Sequence, residues 1–329
     1  MKNLIFKLVV VSVFIASTLK AQKTDVKKQP EELGLVSWYR NYDAAVEQSQ
    51  KLGKPIFILF QEVPGCATCR NYGNDVLSHP LIVDAIENEF IPLAIYNNVK
   101  GHDREVLNRF NEPTWNNPVV RITEPNGKDL IKRLNGNYTG YGLSNYMLLA
   151  LSSGYYGQPE YLQIAAQELK SQYENNTEEV TYSMYCFWTG EAHLGQLDGI
   201  ISTKPGFMNG KEVVRVNFDK SKLSEAELTF HAQKANCRLE EKVSKFRLDK
   251  DPQYYLKQTD FKYLALTPLQ KTKINSALKN RQKTDVYLSP SQKKFLVSLE
   301  SSSRKNLKVL YDKPFDMAWK EMKSLGLDL

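Results

Sequence analysis

The run Ile56-Phe57-Ile58-Leu59-Phe60 constrains this chain most. Five consecutive apolar residues, opened by Lys54-Pro55 and closed by Val63-Pro64-Gly65, read as a buried strand ending in a turn. Cys66-Ala67-Thr68-Cys69 follows at once, with Cys66 at the expected start of the next helix. Helix amides and the helix dipole stabilise a thiolate at that position, and a cysteine one turn on can resolve a mixed disulfide. A bridge between residues three apart constrains the unfolded chain little. Cys66 and Cys69 therefore read as a catalytic dithiol rather than a structural disulfide.

The flanking segments extend the pattern. Residues 38–51 read as a helix, 80–89 as an amphipathic helix and 91–96 as a strand. A proline-opened strand follows over 117–122, then a turn at Gly127 and a further segment over Leu130–Leu134. This order resembles a thioredoxin-like fold, in which Trp38, Lys54-Pro55-Ile56, Cys-x-x-Cys and Pro118 all fall where that family has them. The resemblance implies a cis Asn117–Pro118 bond beside the cysteines, where a proline can present backbone edge groups to an extended substrate. Val63-Pro64-Gly65-Cys66 departs from the usual Trp-Cys-Gly-Pro-Cys. It is similar to a thioredoxin-like group in which Val-Pro-Gly precedes selenocysteine or cysteine, which implies that Cys66 is the attacking residue.

A second motif series begins at Cys186. A cysteine beside two bulky aromatics, Phe187 and Trp188, follows the β-rich run Glu179–Tyr185. Tyr185-Cys186-Phe187-Trp188-Thr189-Gly190-Glu191, Gly206-Phe207-Met208-Asn209-Gly210 and Glu212-Val213-Val214-Arg215-Val216 then succeed one another, and Asp249-Lys250-Asp251-Pro252-Gln253-Tyr254 comes later. The series resembles peptide methionine sulfoxide reductase of the A type, with a ferredoxin-like core, over roughly residues 178–280. The family's Gly-Cys-Phe-Trp-Gly appears with both glycines replaced, by Tyr185 and Thr189. The resemblance implies that Cys186 attacks the sulfoxide sulfur, that Glu212 assists by proton transfer and that Phe187 and Trp188 form the methyl pocket. It also implies that Tyr254 and Asp249 belong to the oxygen-binding network. The second family tyrosine falls at Phe207, which has no hydroxyl, and the loop between Gly210 and Glu212 is much shorter than usual. Loss of one such donor is on the scale of an oxyanion-hole deletion, about 3 kcal/mol. Attack would leave Cys186 as a sulfenic acid, which a second thiol can condense with. Cys237 is the candidate within this segment, and Cys66 is the alternative.

The rest of the sequence sets the surroundings. The 329 residues suffice for two ordinary domains, and 42% apolar content supports packed cores. Met1-Lys2-Asn3, an apolar stretch to Leu19 and Ala21 form the pattern of a signal peptide cleaved after Ala21, with an N-terminal membrane anchor as the alternative. An exported, periplasmic protein is expected. The formal charge of +7 falls to about +4 once Lys2, Lys7 and Lys20 are removed, and the remaining lysines are scattered. No nucleic-acid-binding pattern is present. A zinc site would need two further ligands beside Cys66 and Cys69, and the other cysteines and His79, His102, His193 and His231 form no pair at ligand spacing. No metal or bound cofactor is expected, only an external thiol reductant.

The expected organisation is a signal peptide (1–21), a linker (22–35), a thioredoxin-like α/β domain (36–153) and a helical linker (154–177). An α+β reductase-like domain (178–285) and a C-terminal helical extension (286–329) follow. The expected partners are oxidised methionine-containing proteins or peptides and a membrane or periplasmic thiol reductant. The rival reading is a thiol–disulfide oxidoreductase whose second domain is a degenerate binding module.

Overall fold

The computed structural model describes residues 23–115, 118–241, 245–301 and 307–325. The first half comprises α1 (Tyr42–Leu52), β1 (Ile56–Gln61), α2 (Ala67–Asn71), α3 (Pro80–Glu89), β2 (Ile91–Tyr96) and α4 (His102–Arg109). It continues through β3 (Val119–Thr123), β4 (Leu134–Asn135), α5 (Gly140–Ser153) and α6 (Glu160–Glu174). The sheet order is β2-β1-β3-β4, with β1 parallel to β2 and antiparallel to β3.

The apolar run of β1 is covered on both faces. Phe57 and Leu59 enter one core with Trp38, Ile82, Ile86 and Val120. Ile56, Ile58 and Phe60 enter the opposite core with Tyr42, Leu107 and Val119. Side chains alternate across a strand, so only a continuous apolar run can serve two layers at once.

Two elements differ from the sequence reading. The first helix starts at Tyr42 rather than Trp38, because the Asn41 side chain accepts the Ala44 amide at 2.9 Å and caps it there. Trp38 is instead fully buried and donates its indole N–H to the Leu33 carbonyl at 2.9 Å. Of the segment Leu130–Leu134, only Leu134 belongs to a strand, the two-residue β4. The helix of the expected helical linker over 154–177 is α6, whose Tyr161, Leu162 and Ala166 sit in the first core.

The second half opens with β5 (Thr177–Met184), α7 (Phe187–Gly195), β6 (Ile200–Met208), β7 (Lys211–Asp219), α8 (Glu225–Lys234) and β8 (Arg238–Leu239). It continues with β9 (Arg247–Leu248), α9 (Tyr254–Lys257), α10 (Pro268–Lys279), α11 (Pro290–Ser301) and α12 (Phe315–Ser324). The sheet order is β8-β5-β7-β6-β9, with every described pairing antiparallel. Asn209 and Gly210, both at positive φ, close the β6–β7 hairpin in two residues. Val180, Tyr182, Val214, Val216 and Phe218 pack against Phe187 and Leu194 of α7 and Leu228 and Ala232 of α8.

The C-terminal helices pack on both halves, not on the second alone. Phe295, Leu299, Trp319 and Met322 share a core with Leu256 and Leu266 and also with Leu81 and Ala165 of the first half. Asp84 of α3, itself buried, accepts the backbone N–H of Ser291 at 3.0 Å and its hydroxyl at 2.5 Å. No helix among the described residues is long and apolar enough to cross a membrane, and the expected signal peptide lies outside those residues.

Candidate functional sites at Cys66–Cys69 and Cys186

The first site forms where β1 runs out. Glu62 follows the strand, residues 63–65 turn, and Cys66 takes the N-cap position of α2 with extended backbone angles. Cys66 is exposed and Cys69 fully buried, and the pair stands as a dithiol with sulfurs 3.9 Å apart. The loop is held from several sides. The buried Glu32 carboxylate accepts the Gly65 amide at 2.6 Å, and Arg70 donates to the Gly65 carbonyl at 2.6 Å. Asn98 accepts from the Val63 amide at 3.3 Å. A β-carbon on Gly65 would lie 2.6 Å from that of Cys69, so this close approach requires glycine.

The two thiols are driven apart electrostatically. The Cys69 amide, donating toward Cys66, holds the Cys66 thiol below its ordinary value. Burial, and then the neighbouring Cys66 charge, push Cys69 up to about 12. An exposed, readily ionised thiol beside a buried, protonated one is the division between an attacking and a resolving cysteine. Pro118 is buried immediately before β3, whereas the Asn117–Pro118 bond lies outside the described residues. The Val63–Pro64 bond is cis.

The second site forms at the start of α7. Cys186, half-buried, is its N-cap residue. Glu212 at the start of β7 accepts the Phe187 amide at 2.9 Å, satisfying a helix N-terminal donor that would otherwise lack an intrahelical partner. Thr189 places its hydroxyl 3.6 Å from the Cys186 sulfur. Trp188 donates its indole N–H to Asp249 at 3.2 Å and stacks on Tyr254. Phe207, the cross-strand partner of Glu212, meets Phe187 edge-on at 5.3 Å and carries the Arg247 guanidinium over its ring at 4.3 Å. The sequence-predicted residues Cys186, Phe187, Trp188, Phe207, Glu212, Asp249 and Tyr254 are thus brought to one place. A groove of about 490 Å³ beside them is lined by Met184, Tyr185, Lys211, Glu212, Asn236 and Arg238.

Cys237 stands apart from this exposed chemistry. It is buried in the second core with Tyr182 and Phe187, and burial pushes its thiol up to about 11.

Two acids escaped the sequence reading. Glu191, on the inner face of α7 one turn after Phe187, is fully enclosed and pushed up to about 8 by burial. It accepts from the Thr203 hydroxyl at 3.2 Å and the Gln253 amide at 3.0 Å, next in sequence to Tyr254. Its i, i+4 spacing from Phe187 was the available signal, since both side chains must point inward. Glu62 is the other: one carboxylate oxygen lies within 4.8 Å of both Cys66 and Cys69 sulfurs. As a carboxylate, Glu62 falls outside a pattern of cysteine and histidine ligands.

Residues 37–125 match the sequence model of a family described as thioredoxin-like. The N-terminal region is a thioredoxin-like domain. A solved structure described as "DsbH Oxidoreductase" is 16% identical, with the similarity covering 39% of this chain and 94% of that chain at a TM-score of 0.32. No curated protein matches the chain.

Proposed function

We propose that this protein is an exported, two-domain oxidoreductase that reduces methionine S-sulfoxide at Cys186 and re-reduces that residue through Cys66 and Cys69. The observation that carries the reading is the gathering of Glu212, Asp249 and Tyr254, distant in sequence, on Phe187 and Trp188, the two residues that follow Cys186. The succession β5-α7-β6-β7-α8-β8, with sheet order β8-β5-β7-β6, fits the ferredoxin-like core that the motif series implies.

In the proposed reaction the Cys186 sulfur attacks the sulfoxide sulfur while Glu212 supplies a proton to the oxygen. The S–O bond of the substrate breaks, methionine is released, and the oxygen remains on Cys186 as a sulfenic acid. Phe187 and Trp188 would hold the methyl group, and the Tyr254 hydroxyl would bind the oxygen. Cys66 then displaces that oxygen as water, forming a mixed disulfide with Cys186. Cys69 attacks Cys66, freeing the Cys186 thiol and leaving a Cys66–Cys69 disulfide for an external dithiol reductant. Turnover of an S-sulfoxide peptide with dithiothreitol, lost in Cys186→Ser, is the expected result. No turnover by the wild type, or equal turnover by the variant, would defeat the reading.

One observation favours a second reading. Phe207, which the motif resemblance aligns with an oxygen-binding tyrosine, contacts the Phe187 ring and lies under the Arg247 guanidinium. With that donor missing, the second domain would serve as a recognition module for the thioredoxin-like dithiol. Activity on insulin disulfides without activity on the sulfoxide peptide selects this alternative.

A further inference from the structure

We infer that Glu62, Cys66 and Cys69 form a three-ligand site for a zinc-type divalent cation, available only when the dithiol is reduced. This inference does not depend on sulfoxide reduction; it rests on the dithiol alone.

The geometry comes first. Tetrahedral zinc with bonds of about 2.3 Å to sulfur requires two thiolates about 3.8 Å apart. The Cys66 and Cys69 sulfurs are 3.9 Å apart. A carboxylate oxygen completing one face of that tetrahedron must lie about 3.5 Å from each sulfur. The Glu62 oxygen is already within 4.8 Å of both.

The ligands are also pre-positioned. All three come from one eight-residue loop, Glu62-Val63-Pro64-Gly65-Cys66-Ala67-Thr68-Cys69, whose ends are fixed by β1 and α2. Glu32, Arg70 and Asn98 hold its middle through the contacts described above, so metal binding need not order a mobile segment. Glu62 is half-buried and Cys66 exposed, which leaves the fourth position facing solvent for water or an incoming thiolate.

Two thiolates and one carboxylate form a donor set suited to zinc, which accepts both atom types in a tetrahedron. Oxidation abolishes the site: the sulfurs approach to about 2.0 Å and neither remains a thiolate. Binding releases the thiol protons and involves no electron transfer, so no further reactant is needed. Occupancy by zinc would in turn shield the dithiol from oxidation, because the same electron pairs are engaged.

The test uses the full, untagged chain, reduced and then freed of reductant without oxygen, titrated with zinc against a chromophoric chelator. One equivalent with a Kd below about 1 µM is expected for the reduced protein and none at that site for the disulfide form. Glu62→Gln should weaken binding at least tenfold and Glu62→His should restore it, since imidazole also ligates zinc, while thermal melts verify that each variant is folded. X-ray absorption at the zinc edge should give two sulfur ligands and the remainder oxygen. Unchanged affinity in Glu62→Gln, unchanged affinity in Cys66→Ser/Cys69→Ser, or equal binding by the oxidised protein would overturn the inference. Sulfoxide turnover is not read in any arm, so its failure leaves this result intact.

Discussion

Trp188 and Tyr254 are stacked, with ring centroids 4.2 Å apart and planes 17° from parallel. The stack fixes the Tyr254 ring against the residue that also donates to Asp249. It thereby sets the hydroxyl's direction from a short helix that no sequence-local signal ties to α7. Two substitutions separate packing from chemistry. Tyr254→Phe keeps the stack and removes only the hydroxyl, so it should lower sulfoxide turnover about 100-fold, the scale of one lost transition-state donor, with an unchanged melting temperature. Tyr254→Ala should lose the same activity and in addition about 1 kcal/mol of stability from the lost ring pair. Steady-state kinetics beside chemical denaturation would decide, and full activity in Tyr254→Phe would confine the residue to packing.

The asymmetry of the first dithiol predicts which thiol reacts. Cys66 is exposed and held below the ordinary thiol value by the Cys69 amide, whereas Cys69 is buried and pushed up to about 12. Iodoacetamide at neutral pH should modify Cys66 first, leaving Cys69 and Cys237 protected until the chain is unfolded. The Cys66 rate should climb with pH and level off below the ordinary thiol range, because only the thiolate reacts. Cys69→Ser should trap mixed disulfides on Cys66, detectable as adducts by mass spectrometry. Modification of Cys69 ahead of Cys66 would invert the assignment.

The stretches that could be read from sequence were those whose signals are local. The five apolar residues of β1 announce a strand with two covered faces, and Cys66 and Cys69 announce themselves by spacing. Cys186 and its distant partners emerged only through an ordered motif series, since nothing in residues 249–254 alone points toward residue 186. The failures have a common cause in tertiary contact. Trp38 carries a helix-compatible pattern, but its burial and indole bond to Leu33 hold it extended, and Asn41 begins the helix instead. Glu191 hides inside a motif whose aromatic residues drew the reading, and Glu62 is an ordinary strand-end acid until the loop folds back over it.

Glu191 makes stability depend on pH in a defined sense. Burial raises its folded-state value from 4.5 to about 8, so the folded protein favours the protonated carboxyl. A group of this kind leaves stability intact below its unfolded value and withdraws it as pH rises through the folded value. Stability should therefore decline between about pH 4.5 and about pH 8, on top of whatever other groups contribute. Glu191→Gln, which keeps an oxygen for the Gln253 amide, should flatten that decline and melt at a higher temperature than wild type at pH 8. Matched melting curves at pH 5 and pH 8 measure the difference, and parallel shifts in the two proteins would remove Glu191 as its source.

Phe207 provides the sharpest trial of the second site. It is the cross-strand partner of Glu212, half-buried, and touches Phe187 edge-on while Arg247 lies over its ring. A hydroxyl added at its ring tip leaves these ring contacts in place and supplies a donor of the kind the motif comparison finds missing. If oxygen stabilisation limits turnover, Phe207→Tyr should raise kcat for S-sulfoxide peptide at least tenfold while changing KM little, because the gain falls in the transition state rather than in substrate binding. The same substitution should leave insulin-disulfide reduction unchanged, since that chemistry belongs to Cys66 and Cys69. A rise in sulfoxide turnover alone would identify the site as a reductase slowed by one lost donor. No rise in a folded Phe207→Tyr protein would show that the oxygen does not sit against β6, and would move the weight to the recognition-module reading.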